Sequence, residues 1–241
     1  MMQDAPTIYH GTPITPTAAF EAIMPGRAAC ISYGTPTDWD RADRLCPFVM
    51  IDNGAFKFWN QARKAGREWD EERRDWSPYY NWLEPRLFHP GRWAVIPDIP
   101  AAPSQLNDAL LAEWPHGQKG APLFHMDGPV HRLGRLCDQY DRVCLGWIGH
   151  PKREPVGCDA YRRKMDEIAA LFGNRWPVIH MMRGVAVARD YPFRQRRQYQ
   201  PRTEWTSLSR RLSAIRFLRS DTIRPMGGPS PLRRPLGGEI S

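Results

Sequence analysis

Six short apolar runs, unbroken and regularly spaced, do most to limit what this chain can become. They are Ala29–Ser32, Phe48–Asp52, Trp93–Asp98, Leu123–Met126, Val143–Trp147 and Val178–Met182. Each is too short for a buried helix. None alternates apolar with polar residues as a strand with one wet face would, so they read as strands covered on both sides, the habit of parallel sheets. Between them lie stretches with helical patterning: Thr17–Met24, Glu68–Leu83, Pro103–Trp114, Pro129–Tyr140 and Cys158–Phe172. Pro103–Ser104 and Gly157 are start signals and Gly173 is a stop. Strand–helix repetition of this kind predicts an α/β fold.

Polar residues gather at or just past the C-terminal ends of these runs: Asp52, Asp98, His125 with Asp127, Gly146 through His150, and His180 with Arg183. Both a (β/α) barrel and a doubly wound sheet build sites on that rim. No GxGxxG or GxxxxGK[ST] follows a strand, which disfavours the nucleotide-binding sheets. The expectation is a TIM-type (β/α) barrel. A full barrel takes about 250 residues and rarely fewer than 200, so one ending near residue 193 would be incomplete at its C-terminal end.

The boundary at 193 comes from charge. The chain carries a formal +8, but residues 1–193 hold 23 basic and 23 acidic residues. Residues 194–241 hold 11 Arg, no Lys and three acids, so the whole excess sits there. The expected organisation is a barrel domain over 1–193 and a basic, Arg- and Pro-rich tail over 194–241, largely unstructured. Such a tail could hold phosphate backbones without sequence preference. The body alone gives no electrostatic reason to bind DNA or RNA. Five cysteines without CxC or CxxC spacing argue against a disulfide scaffold or a zinc site. No apolar run reaches the ~18 residues of a membrane helix and no secretory signal is apparent, so a cytoplasmic setting is expected.

Six segments could carry chemistry. In Val49-Met50-Ile51-Asp52-Asn53-Gly54-Ala55-Phe56 a buried strand delivers a carboxylate, then a small-residue turn, then an aromatic face. Asp52 could move a proton, and Phe56 could stack on a base; the same letters also make an ordinary strand-capping turn. In Val95-Ile96-Pro97-Asp98-Ile99-Pro100 two prolines stiffen a lone carboxylate, which suits an acceptor held against the adjacent N–H donors of a guanine edge but also a helix cap. His125-Met126-Asp127-Gly128 and Val178–Gly184 each bring a histidine to a strand end, and Leu145–His150 brings glycines where a backbone can approach a ligand. No HxH or HExxH spacing supports a metal among them. At the N-terminus, Tyr9-His10-Gly11-Thr12-Pro13 resembles the His-Gly-Thr element of ADP-ribosyltransferases, which would make the chain an enzyme of that type.

In order and spacing, Ile51–Phe56, Ile96–Asp98, Phe124–Gly128, Leu145–Gly149 and Val178–Gly184 resemble the successive strand-end motifs of the tRNA-guanine transglycosylase superfamily. The nearest likeness is to its short phage-type branch, which places 7-deazaguanine bases in DNA. The likeness spans about residues 45–193, with Asp-Asn-Gly-Ala-Phe where the tRNA enzymes have Asp-Ser-Gly-Gly-Phe; their zinc cysteines are absent. It implies a barrel enzyme that exchanges guanine for a 7-deazaguanine through a glycosyl-enzyme. Its partners would be DNA and a free base, it would need no cofactor, and it would work in a bacterial or phage-infected cytoplasm. Asp52 would be catalytic in proton transfer, Asp98 would read the guanine edge, and Asn53, Phe56, His125, Gly146 and His180 would complete the substrate site.

The resemblance also implies a nucleophilic aspartate on the next strand, in a segment like Tyr-Pro-Phe followed by small residues and Asp-Ser-Thr. Here Tyr191-Pro192-Phe193 is followed by Arg194-Gln195-Arg196-Arg197-Gln198-Tyr199. Codons for that stretch, read one nucleotide later, can encode Ala-Ser-Ala-Asp-Ser-Thr. The expectation is a frame-shifted C-terminal part and a chain that lacks its nucleophile. A third possibility is a DNA-binding accessory protein whose tail is functional.

Overall fold

The computed structural model describes residues 7–67, 75–149, 152–184, 187, 190 and 191, and the backbone alone of Arg197–Gln200. Its strands are β1 Ile8–Gly11, β2 Ala28–Ser32, β3 Phe48–Asp52, β4 Arg92–Val95, β5 Gly120–Ala121, β6 Leu123–His125, β7 Val143–Gly146, β8 Ile179–Met181 and β9 Arg197–Gln200. The helices are α1 Thr17–Ile23, α2 Trp39–Leu45, α3 Ala55–Lys64, α4 Ser77–Leu87, α5 Ser104–Ala112, α6 Val130–Gln139 and α7 Asp159–Phe172, with a 3₁₀ turn at Gly117–Lys119. The fold is α/β.

All pairings are parallel, in the order β5-β4-β3-β2-β1-β9-β8-β7-β6. The hydrogen-bonded order is open. Its two terminal strands, β5 and β6, are separated in sequence by Pro122 alone. Proline has no N–H to give a ladder, which accounts for an interruption at that residue.

Side chains alternate between two environments. On β3, Val49 and Ile51 pack outward against helices, in a cluster that includes Phe20, Trp39, Tyr79 and Leu83. Met50, between them, faces an inner cluster with Tyr9, Cys30, Trp93, Val95 and Cys144. A second outer shell joins α6 and α7 to β6–β8 through Leu133, Leu136, Met165 and Ile168. The inner cluster reaches across the sheet. Trp93 of β4 donates its indole N–H to the Tyr9 hydroxyl of β1 at 2.9 Å, and its ring meets His180 of β8 at 5.2 Å between centroids. Those strands are not neighbours in the ladder, so the sheet is strongly curled.

Several elements differ from the sequence expectation. β4 ends at Val95; the Ile96 N–H still donates to the Ala121 carbonyl at 3.0 Å, and Pro97 has no N–H to carry the ladder further, so Asp98 stands beyond the sheet on the rim. The helix expected to stop at Leu83, ahead of Pro85, continues to Leu87. Leu83 and Leu87 are both fully buried, and their packing outweighs the one helical bond that Pro85 removes. Residues 68–74, the start of that expected helix, lie outside the described residues, and α3 occupies the stretch before them. β9 falls within the segment read as tail; residues 194–196 and 201–241 lie outside the described residues.

Candidate functional site: an acid-lined cavity

Above the inner apolar cluster, at the C-terminal ends of the strands, lies a cavity of about 510 Å³. That is within the roughly 300–1,000 Å³ of small-molecule sites. Cys30, Val95, Leu123 and Met182 form its apolar lining, and Asp52, Asn53, Asp98 and His125 its polar one.

The turn after β3 positions the first group. Gly54 adopts φ 78°, and a side chain there would bring its Cβ within 2.9 Å of the Gly34 backbone nitrogen, so both conformation and space require glycine. The Gly54 N–H donates to Asp52 Oδ1 at 3.2 Å. Asp52 itself opens partly into the cavity. Burial pushes its carboxyl up from the ordinary 3.8 to about 6. The Asp98 carboxylate pushes the same way, while the Gly54 N–H, the Ser32 hydroxyl and the Arg183 guanidinium hold it back. A carboxyl poised there can both accept and donate a proton near neutrality.

Asn53 ties β3 to the chain after β4. Its Oδ1 accepts the Ala55 N–H at 2.8 Å and so begins α3. Its Nδ2 donates to the Ile96 carbonyl and to Asp98 Oδ1, both at 2.8 Å. Both amide N–H groups are therefore engaged within the protein. Asn53 lines the cavity, but its visible work is to hold Asp98.

Asp98 is buried and fixed from two sides. Besides Asn53, His125 Nε2 lies 2.9 Å from Asp98 Oδ2, and against a carboxylate oxygen that nitrogen acts as the donor. A carboxylate oxygen accepts about two hydrogen bonds. Each Asp98 oxygen thus keeps one acceptor position after its internal partner is counted.

Gly146 ends β7 at the wall, with its carbonyl accepting the Met126 N–H at 2.9 Å. Phe56 stands half-open at the mouth, and the Arg183 guanidinium covers one face of its ring at 4.5 Å. Asp52, Asn53, Phe56, Asp98, His125 and Gly146 therefore come together as the sequence expects. His180 does not. Its side chain is fully buried below the cavity, edge-on to the rings of Tyr9 and Trp93, because its position on β8 points into the inner layer. His10 and Gly11 belong to β1, and Thr12 reaches the cavity while donating its hydroxyl to the Cys30 carbonyl at 3.0 Å.

Ser32, Lys57 and Arg183 also line the site. Ser32 could have been found from register, since it ends β2 directly opposite Asp52. Lys57 had no signal, because the turn residues before it gave no sign that a helix would begin there. Among the described residues, no group of three or more His, Cys, Asp or Glu is placed to hold a metal ion, and no helix is long and apolar enough to cross a membrane. Comparison with family models, curated proteins and solved structures returned no match.

Proposed function

We propose that this chain is a guanine-recognising (β/α) barrel of the transglycosylase kind, whose reaction exchanges guanine in DNA for a 7-deazaguanine base. The observation that carries the reading is the pair of rim carboxylates, Asp52 and Asp98, on one cavity with different environments. Asp98 is held by Asn53 and His125 with acceptor positions to spare, suited to the N1–H and 2-amino group of guanine. Asp52, with its raised affinity for protons, is suited to protonate a departing base or deprotonate an arriving one.

Barrel closure is part of the proposal. Counting Gly120–His125 as one strand interrupted at Pro122 gives eight members, with the two ends of the order on the same segment. The contact between Trp93 of β4 and His180 of β8 supports the same closure.

In the proposed reaction a guanine nucleotide leaves the DNA stack. An aspartate attacks C1′, the C1′–N9 bond breaks with its electron pair going to the base, and a glycosyl-enzyme forms. A deprotonated nitrogen of the incoming 7-deazaguanine then attacks C1′ and releases the aspartate. Neither a redox cofactor nor a metal enters these steps. The chain as written lacks the attacking group. β9, the strand beside β8, reads Arg197-Gln198-Tyr199-Gln200 and holds no carboxylate. In the shifted frame the aspartate falls at codon 197, at the start of that strand. We place the protein in the cytoplasm of a bacterium or a phage-infected host, with DNA and a free base as its partners.

The test is incubation with guanine-containing DNA and a labelled 7-deazaguanine, beside a version with the shifted frame restored. No incorporation by the chain as written and incorporation after restoration is the expected result. Incorporation by the unrestored chain would show that the nucleophile lies elsewhere.

A further inference from the structure

The cavity is polarised along its depth. Its buried polar groups are Asn53, Asp98 and His125, a floor whose spare acceptors belong to the one carboxylate. The exposed part of its lining carries two cations, Lys57 and Arg183. Lys57 sits in the first turn of α3 and donates from Nζ to the Gly34 carbonyl at 2.6 Å and to Thr35 Oγ1 at 3.1 Å. Both partners are neutral, so the ammonium charge is oriented without being cancelled. Arg183 follows β8, and its guanidinium carbon lies over the Phe56 ring, 4.5 Å from the ring centre. A guanidinium held by a ring face makes no hydrogen bond with that ring's edge, and its fork of N–H donors suits a phosphate. Asp52 shares the field of Arg183 and offsets part of its charge, whereas Lys57 has only neutral hydrogen-bond partners.

We propose that Lys57 and Arg183 receive the phosphate of a nucleotide whose base is seated on Asp98, so that the site selects a phosphorylated nucleotide over a nucleoside. This rests on the base-binding reading and deepens it. A free base would satisfy the floor and leave both rim cations facing water. A nucleotide presents donors at one end and an anion at the other, matching the order of charges from floor to mouth. The phosphate can belong to a mononucleotide or to a strand, and the chemistry at the rim is shared.

The test is calorimetry with guanine, deoxyguanosine, dGMP and a short single-stranded guanine-containing oligonucleotide. The proteins are the wild type and the double variant Lys57→Met/Arg183→Met, with thermal unfolding of each to confirm folding. The wild type should bind dGMP at least about tenfold more tightly than deoxyguanosine, as expected for charge-assisted hydrogen bonds. The ratio should fall as salt is raised and approach one in the double variant. Tighter binding of the oligonucleotide than of dGMP would assign the phosphate to a strand, and equal or weaker binding to a mononucleotide. Equal affinity of the wild type for deoxyguanosine and dGMP would overturn the phosphate proposal and leave base recognition standing. A preference that survives in the double variant would overturn the assignment to these two residues. Failure to bind guanine in any form would overturn the base reading and this proposal with it.

Discussion

Met50 and Asp52 leave the same face of β3 two residues apart, yet they serve opposite purposes. Met50 lies in the inner layer with Tyr9 and Trp93, fully buried. Asp52 stands one step higher, where the inner layer gives way to the cavity. β2 repeats the pattern, with Cys30 in the inner layer and Ser32 beside Asp52. The lower layer is tightly filled and reaches across strands. The upper layer is left hollow, and its polar groups are held by side-chain hydrogen bonds such as Asn53–Asp98–His125. Position along a strand therefore decides whether a residue maintains the fold or meets a ligand. His180 shows the force of this rule. It has the chemistry of a site residue, but its place on β8 puts it in the lower layer.

The largest expected effect is in that layer. Met50→Ala would open a void among Tyr9, Trp93 and Cys144, and should cost about 2–5 kcal/mol of unfolding free energy by denaturant titration. A loss below about 1 kcal/mol would mean that the inner layer is not closely packed, and the contrast between the layers would fail.

Asp52 probes the upper layer through pH. Its carboxyl binds a proton more tightly when folded, at about 6 against 3.8 for the ordinary group. Stability from this residue is therefore fullest below the unfolded value and is lost as pH rises through the folded one. Asp52→Asn carries no charge at any pH. Compared with the wild type, the variant should gain on the order of 2 kcal/mol between pH 4 and pH 8, allowing for screening by cavity water. Thermal unfolding of both proteins across that range checks it. A variant that loses stability relative to the wild type as pH rises would contradict the stated environment of Asp52.

Much of this arrangement was legible in the sequence, for physical reasons that can be named. β3 matches its apolar run residue for residue, because Val49, Met50 and Ile51 are buried on both faces of the sheet. The gathering of Asp52, Asp98, His125 and Gly146 followed from their common position at strand ends. β1 was missed because Ile8–Gly11 contains a histidine and a glycine and offers no run to detect. α2 was missed because seven residues with four charges show only Trp39 and Ala42 as buried positions. α3 was hidden by Gly54, which marks a turn correctly but does not reveal that a helix begins directly after it. The internal duty of Asn53 was beyond reach, since its partners Ile96 and Asp98 are 43 and 45 residues away.

The most direct test of the central claim, that Asp98 reads a purine edge on the cavity floor, is titration calorimetry of guanine into the wild type and Asp98→Asn. The substitution turns one acceptor into a donor facing another donor, while the Asn53 and His125 side chains remain to fill the space. The account predicts measurable binding by the wild type and a loss of about 1–3 kcal/mol in the variant. Equal affinities, with both proteins folded, would contradict it.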